Sequence, residues 1–154
     1  MTSQSAHPKD SLHANALVFE GTGLLIRGAA RAGKSSLSFA LLKLAEDKGL
    51  ACRLVGDDRI LVERQDGRLI ARGHPAIQGM IEKRGEGIVR VPFETEVVLQ
   101  LVIDLLPPDE LGQSQAQQAE ICGVKLPRLP LAAGGSSYDC ALAVHRCLHQ
   151  TGTI

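Results

Sequence analysis

Gly28-Ala29-Ala30-Arg31-Ala32-Gly33-Lys34-Ser35 fits the phosphate-binding pattern G-x-x-x-x-G-K-[ST] in full. Its flanks fit as well. The apolar run Leu24-Leu25-Ile26 before it reads as a strand, and Ser36 to Ala45 after it reads as an apolar-faced helix. The two glycines let the backbone turn its N–H groups inward, where a Cβ would obstruct. The helix N-terminus adds partial positive charge. In such a loop Lys34 reaches the β- and γ-phosphates and the Ser35 hydroxyl ligates magnesium. The candidate nucleotide contacts are Gly28, Ala29, Ala30, Arg31, Ala32, Gly33, Lys34, Ser35 and Ser36.

The rest of the chain must house this loop. Its 154 residues are enough for one domain with a real core, and a hydrophobic content of 44% implies a folded one. With three Phe, one Tyr and no Trp, that core is aliphatic. Seventeen basic residues balance 17 acidic ones, which argues against a nucleic-acid binder acting through a general field. No apolar run approaches a membrane-spanning length. Residues 1–10 are polar without a signal-peptide core and read as a loose arm, leaving 11–154 as a single domain. Cys52, Cys122, Cys140 and Cys147 form no C-x-x-C pair. Their spacing indicates neither a zinc site nor a redox motif, and reduced thiols point to the cytoplasm.

Ala16–Phe19 and Gly23–Arg27 read as two strands joined by a tight turn at Glu20-Gly21-Thr22. The loop helix is expected to run to about Lys48 and stop at Gly49. Ala51–Val55 is the next strand, ending at Gly56-Asp57-Asp58. Ile60–Glu63 and Arg68–Ala71 pair across Gln65-Asp66-Gly67 as a hairpin. His74 to Ile81 reads as irregular, Lys83 to Gly87 as a polar loop, and Ile88–Val91 as a short strand. Val97–Leu105 is the clearest buried strand, stopped by Pro107-Pro108. Asp109 to Glu120 reads as a loop, Leu126–Leu131 as extended, and Ser136 or Ser137 as the cap of a helix over 138–149. Hairpins on both sides of the loop contradict the strict alternation of an ordinary P-loop kinase. The expectation is an α/β fold in which a strand-rich mixed sheet wraps the loop helix.

Asp57 and Asp58 end a strand just after that helix, where ligands gather in open α/β sheets. Carboxylates there can hold magnesium or accept a hydroxyl proton. Asp104, ending an apolar strand, competes as a Walker B-type aspartate or merely closes the strand. Glu82-Lys83-Arg84-Gly85-Glu86-Gly87 offers an arginine for phosphate charge and a glutamate for a magnesium shell.

Ser11-Leu12-His13-Ala14-Asn15-Ala16, the loop 28–35, Arg53-Leu54-Val55-Gly56-Asp57-Asp58-Arg59, Gly73-His74-Pro75-Ala76-Ile77 and Glu82 to Ile88 follow in order. Together they resemble the catalytic domain of bacterial HPr serine kinase/phosphorylase over about Ser11 to Leu106, as in short forms lacking the N-terminal domain. The resemblance implies a fold like that of phosphoenolpyruvate carboxykinase, ATP and Mg2+ as cofactors, an HPr-like phosphocarrier protein as partner, and a homo-oligomer, commonly a hexamer. It implies Lys34 on phosphate, Ser35 and Glu82 on magnesium, and the Asp57–Asp58 pair at proton transfer with Asp58 as the base. His13 matches an active-site histidine, and Arg84 lies in the segment serving phosphorylation and dephosphorylation. Ala29 and Ser36 stand where the family often has acidic residues, and the family's downstream arginine and C-terminal dephosphorylation segment are not recognisable. These departures weaken the phosphorylase half more than the kinase half. The competing readings are a small-molecule kinase and a nucleotide-binding module without turnover.

Overall fold

The computed structural model describes residues 9–113 and 116–150. Its centre is β9 (Glu96–Leu106), an 11-residue strand that is buried from Leu101 to Leu105. β9 runs parallel to β3 (Thr22–Gly28) on one side, so the phosphate loop leaves the sheet beside the end of β9. β3 pairs antiparallel with β2 (Ala14–Phe19), and β2 with β4 (Cys52–Gly56). On its other side β9 serves two neighbours in turn. Its first half pairs antiparallel with β6 (Arg68–Gly73), which continues to β5 (Ile60–Gln65) and β1 (Lys9–Leu12). Its second half pairs parallel with β11 (Val124–Ala132), which carries β10 (Gln118–Ile121). The result is a nine-stranded mixed sheet, mostly antiparallel, with β7 (Met80–Lys83) and β8 (Gly87–Arg90) as a separate hairpin. This is the strand-rich sheet expected from the hairpin signals.

Strand alternation separates two cores. Leu17, Phe19, Leu24, Ile26, Leu101, Ile103 and Leu105 face the helices, while Ala14, Ala16, Leu25 and Val102 face the opposite side with Val62, Leu69 and Ile121. The loop helix α1 (Lys34–Lys48) buries Leu37, Leu41, Leu44 and Ala45 against the first core. Each buried leucine contributes roughly 1.5–3 kcal/mol relative to exposure. Gly49, at φ 70°, accepts the left-handed stop of α1, and its N–H bonds the Ala45 and Glu46 carbonyls. The last helix α3 (Ser137–Gln150) packs Ala141, Val144 and Leu148 into the same core, with the Ser136 hydroxyl accepting from the Asp139 N–H as its cap.

Three readings change. Lys9 and Asp10, assigned to the loose arm, form β1 by pairing with Glu63 and Val62; residues 1–8 lie outside the described residues. The stretch read as a loop from Asp109 to Glu120 holds the short helix α2 (Pro108–Gln113) and most of β10. The irregular segment before Ile81 contains a 3-10 turn over Pro75–Ile77 and the first half of β7. The four cysteines carry free thiols, all shifted upward by burial, Cys52 to about 12. No described helix is long and apolar enough to cross a membrane.

Candidate active site

The site forms where β3, β4 and the β7–β8 hairpin meet the start of α1. Gly28 ends β3, and a Cβ there would stand 3.0 Å from the Ala32 Cβ and 3.2 Å from the Leu105 Cβ. A side chain here would force its neighbours to give by a few tenths of an ångström, so glycine suits the close fold-back of the loop. Gly33 precedes α1 at φ 107° and provides no side-chain cap, and no acidic residue occupies the first turn. The first N–H groups of α1 therefore point outward with the positive end of the helix dipole behind them, as an anion site requires.

The Lys34 side chain is buried along the loop, and its Nζ donates to the Gly28 carbonyl at 2.9 Å and the Ala29 carbonyl at 3.4 Å. Ser35 Oγ donates to Asp57 Oδ1 at 2.6 Å. Asp57 is held from two further directions: Asn15 Nδ2 donates to Oδ1 at 2.8 Å, and the Glu82 N–H donates to Oδ2 at 3.1 Å. Asp58 follows in the left-handed region at φ 64°, a conformation that aspartate tolerates better than most residues. Its N–H donates to Asn15 Oδ1 at 2.8 Å, and its side chain is exposed.

Asn15 is thus the hub of the site, although nothing in the sequence reading gave it a role. It is fully buried and also donates to Ser38 Oγ at 2.9 Å, while Ser38 donates to the Lys34 carbonyl. One amide side chain ties α1, Asp57 and the Asp58 backbone together. A signal was available: alternation places Asn15 on the face of Leu17 and Phe19, where an apolar residue is expected.

Ala30, Lys34, Ser35, Asp57, Asp58, Glu82 and Arg84 line one cleft of about 490 Å³. A smaller cavity of about 160 Å³ adjoins it, and Arg31, Gly33, Ser36 and Arg84 border both. Arg84 sits on the β7–β8 turn, which is docked on α1 through buried Ile81 and through Lys83, whose Nζ lies 5.4 Å from the Phe39 ring centroid. The cleft is therefore lined by hard oxygen donors, one lysine and two arginines, a set suited to a magnesium–phosphate ligand. His13 is not brought into it: the residue is exposed between β1 and β2 and borders neither cavity.

Asp104 is not part of the cleft. Its Oδ1 accepts from Arg27 Nε at 2.8 Å, its Oδ2 from Arg27 Nη2 at 2.9 Å, and Oδ2 also from Arg128 Nε on β11. Burial pushes this carboxyl up, but the hydrogen bonds and charges of Arg27 and Arg128 outweigh burial and hold it below the ordinary carboxylate value. The Walker B alternative for Asp104 is corrected on this geometry: both oxygens are committed to arginines that join β3, β9 and β11.

A family model described as HPr Serine kinase C-terminal domain matches residues 4–137. The HPr kinase/phosphorylase of Mycoplasma mycoides subsp. mycoides is 30% identical over 146 residues, 84% of this chain and 44% of that protein. The HPr kinase/phosphorylase of Lactobacillus acidophilus is 30% identical over 142 residues, 82% of this chain and 42% of that one. This chain therefore spans less than half the length of these two relatives. The solved structure of the Hpr(Ser) kinase/phosphatase from Coxiella burnetii superposes with a TM-score of 0.76 at 27% identity, covering 93% of this chain and 99% of that one. The family model spans well over half of the chain, and the chain belongs to the HPr serine kinase C-terminal domain family.

Proposed function

We propose that this protein is an ATP-dependent serine kinase acting on HPr or an HPr-like phosphocarrier protein in the cytoplasm, with weak phosphate-driven dephosphorylation. The observation that carries this reading is the convergence of Lys34, Ser35, Asp57, Asp58, Glu82 and Arg84 on one cleft. On nucleotide binding, Lys34 Nζ exchanges the Gly28 and Ala29 carbonyls for phosphate oxygens, joined by the open N–H groups of α1. Ser35 Oγ and the Glu82 carboxylate are the residues that would hold Mg2+. When bound, the ion neutralises phosphate charge.

Asp57 keeps Ser35 and the β7–β8 hairpin in place through its hydrogen bonds. Asp58, exposed at the cleft, takes the proton of the substrate serine hydroxyl. The serine oxygen forms its bond to the γ-phosphorus as the bond to the bridging oxygen breaks, and ADP leaves with that electron pair. Arg84 stabilises the charge on the transferring group. His13 enters on the family resemblance alone, as does a hexameric assembly. The exposed side chains Ile77, Ile88 and Phe93 offer apolar surface for protein contacts. An exposed base suits a hydroxyl presented by a folded protein, which favours this reading over a small-molecule kinase.

The test is titration calorimetry with ATP–Mg2+ on the wild type and Lys34→Ala, followed by transfer assays. Weaker binding or lost transfer in the variant is expected; equal affinity and equal transfer would remove the loop from the mechanism. In the reverse direction, serine-phosphorylated partner with inorganic phosphate should lose its label slowly. Rapid release with pyrophosphate as product would show full phosphorylase activity instead.

A further inference from the structure

The end of the sheet opposite the phosphate loop carries a second cluster of chemically capable side chains. β3 runs from the Glu20-Gly21 turn at one end to the loop at the other, so nucleotide chemistry does not reach this cluster. His145 and His149 stand four residues apart on α3 and share one face of the helix. Glu20 approaches them from the turn. One ligand atom of each of Glu20, His145 and His149 lies within 4.8 Å of the others. His149 Nε2 and Glu20 Oε1 are separated by 3.5 Å. Zinc bound tetrahedrally at roughly 2.0–2.2 Å requires its donors to stand about 3.3–3.6 Å apart. The imidazole rings lie 4.3 Å apart between centroids, and the His145 ring is steadied edge-on against Phe19 at 5.8 Å.

We propose that Glu20, His145 and His149 form a binding site for a divalent transition metal, with zinc the ion of best fit and water completing the coordination. Two imidazole nitrogens and one carboxylate oxygen are borderline ligands of the kind zinc takes, and this spacing on a helix presents both imidazoles to one ion. The Lys48 ammonium at the end of α1 opposes a cation here, and its exposed side chain can turn to solvent. A bound ion ties α3 to the β2–β3 turn. Because the unfolded chain lacks this arrangement, binding also stabilises the fold.

The experiment is calorimetric titration of the full chain with Zn2+ alone, without nucleotide or magnesium and with a phosphine reductant keeping the thiols reduced. One equivalent should bind, with affinity falling as the histidines protonate toward acid pH. His149→Ala and Glu20→Gln should each weaken binding about tenfold or more, and His145→Ala/His149→Ala should abolish it. Lys48→Gln should tighten it. If loss of the Phe19 contact makes His145→Ala unstable, His149→Ala carries the test, because that side chain is 55% exposed. Zinc should raise the melting temperature of the wild type, raise that of His149→Ala less, and leave that of the double variant unchanged. Cobalt should give a visible spectrum without a near-ultraviolet thiolate band. Undiminished zinc binding in the double variant, a thiolate band, or no binding by the wild type would overturn the proposal.

Discussion

Replacing Asp104 by asparagine separates a structural carboxylate from a catalytic one. In the folded protein Asp104 is 7% exposed and joins two guanidinium groups, Arg128 at 10% exposure and Arg27 at 36%. Asparagine keeps one acceptor, turns an amide toward an arginine and leaves two cations close together. Breaking a buried pair costs about 3–5 kcal/mol, and the partial exposure of Arg27 puts the expected loss near the lower figure. For a chain of this length each kcal/mol lowers the melting temperature by about 2–4 °C, so a fall of roughly 6–12 °C is expected. The pH dependence has a definite sign. Asp104 titrates below its ordinary value in the folded state. The stability it contributes is therefore full above the unfolded carboxyl's pKa and is lost as pH falls through the lower folded one. The variant should lose that part of its acid sensitivity. Circular dichroism melts across acid pH, with ATP turnover measured well below the melting point, make the assay. An Asp104→Asn protein as stable as wild type but without turnover would refute this account and restore a Walker B role.

Asn15→Ala should cost roughly 2–3 kcal/mol, because Ser38 Oγ and the Asp58 N–H lose a buried partner; urea unfolding measures it. The same variant should lower the transfer rate more than ATP affinity, since Asp58 loses the contact that holds its backbone. Asp58→Asn should keep ATP affinity within a few-fold while the rate falls about a hundredfold or more, as steady-state kinetics and calorimetry together would show. Asp57→Asn should instead raise the Mg2+ concentration needed for half-maximal rate, because the charge beside Ser35 is lost and one oxygen is left for three donors, Asn15, Ser35 and the Glu82 N–H.

Features encoded locally were legible in the sequence. The loop, the extent of α1 and the hairpin at Asp66-Gly67, both at positive φ, follow from a few adjacent residues. Features encoded by strand order were not. Asp104 meets Arg27 and Arg128 only because β9 lies between β3 and β11, and sequence spacing carries no sign of that. β1, α2 and β10 were misread for another reason. β1 and α2 lie at the surface with mainly polar side chains, so composition reported their exposure rather than their backbone geometry, and β10 alternates exposed Gln118 and Glu120 with buried Ala119 and Ile121 over only four residues, too short a run to signal a strand. Asn15 was visible as a polar residue on an apolar face, yet its role required Asp57, Asp58 and Ser38 to be brought around it.

The central claim is phosphoryl transfer from ATP to a serine of an HPr-like protein. The most direct test is intact-mass spectrometry of HPr-like phosphocarrier proteins from the source organism after incubation with this protein, ATP and Mg2+. The account predicts a mass gain of one phosphoryl group on one such protein, mapped to a serine, and almost none with Asp58→Asn. No mass gain on any of them, while the same preparation binds ATP–Mg2+ tightly, would contradict it and leave a nucleotide-binding module without turnover.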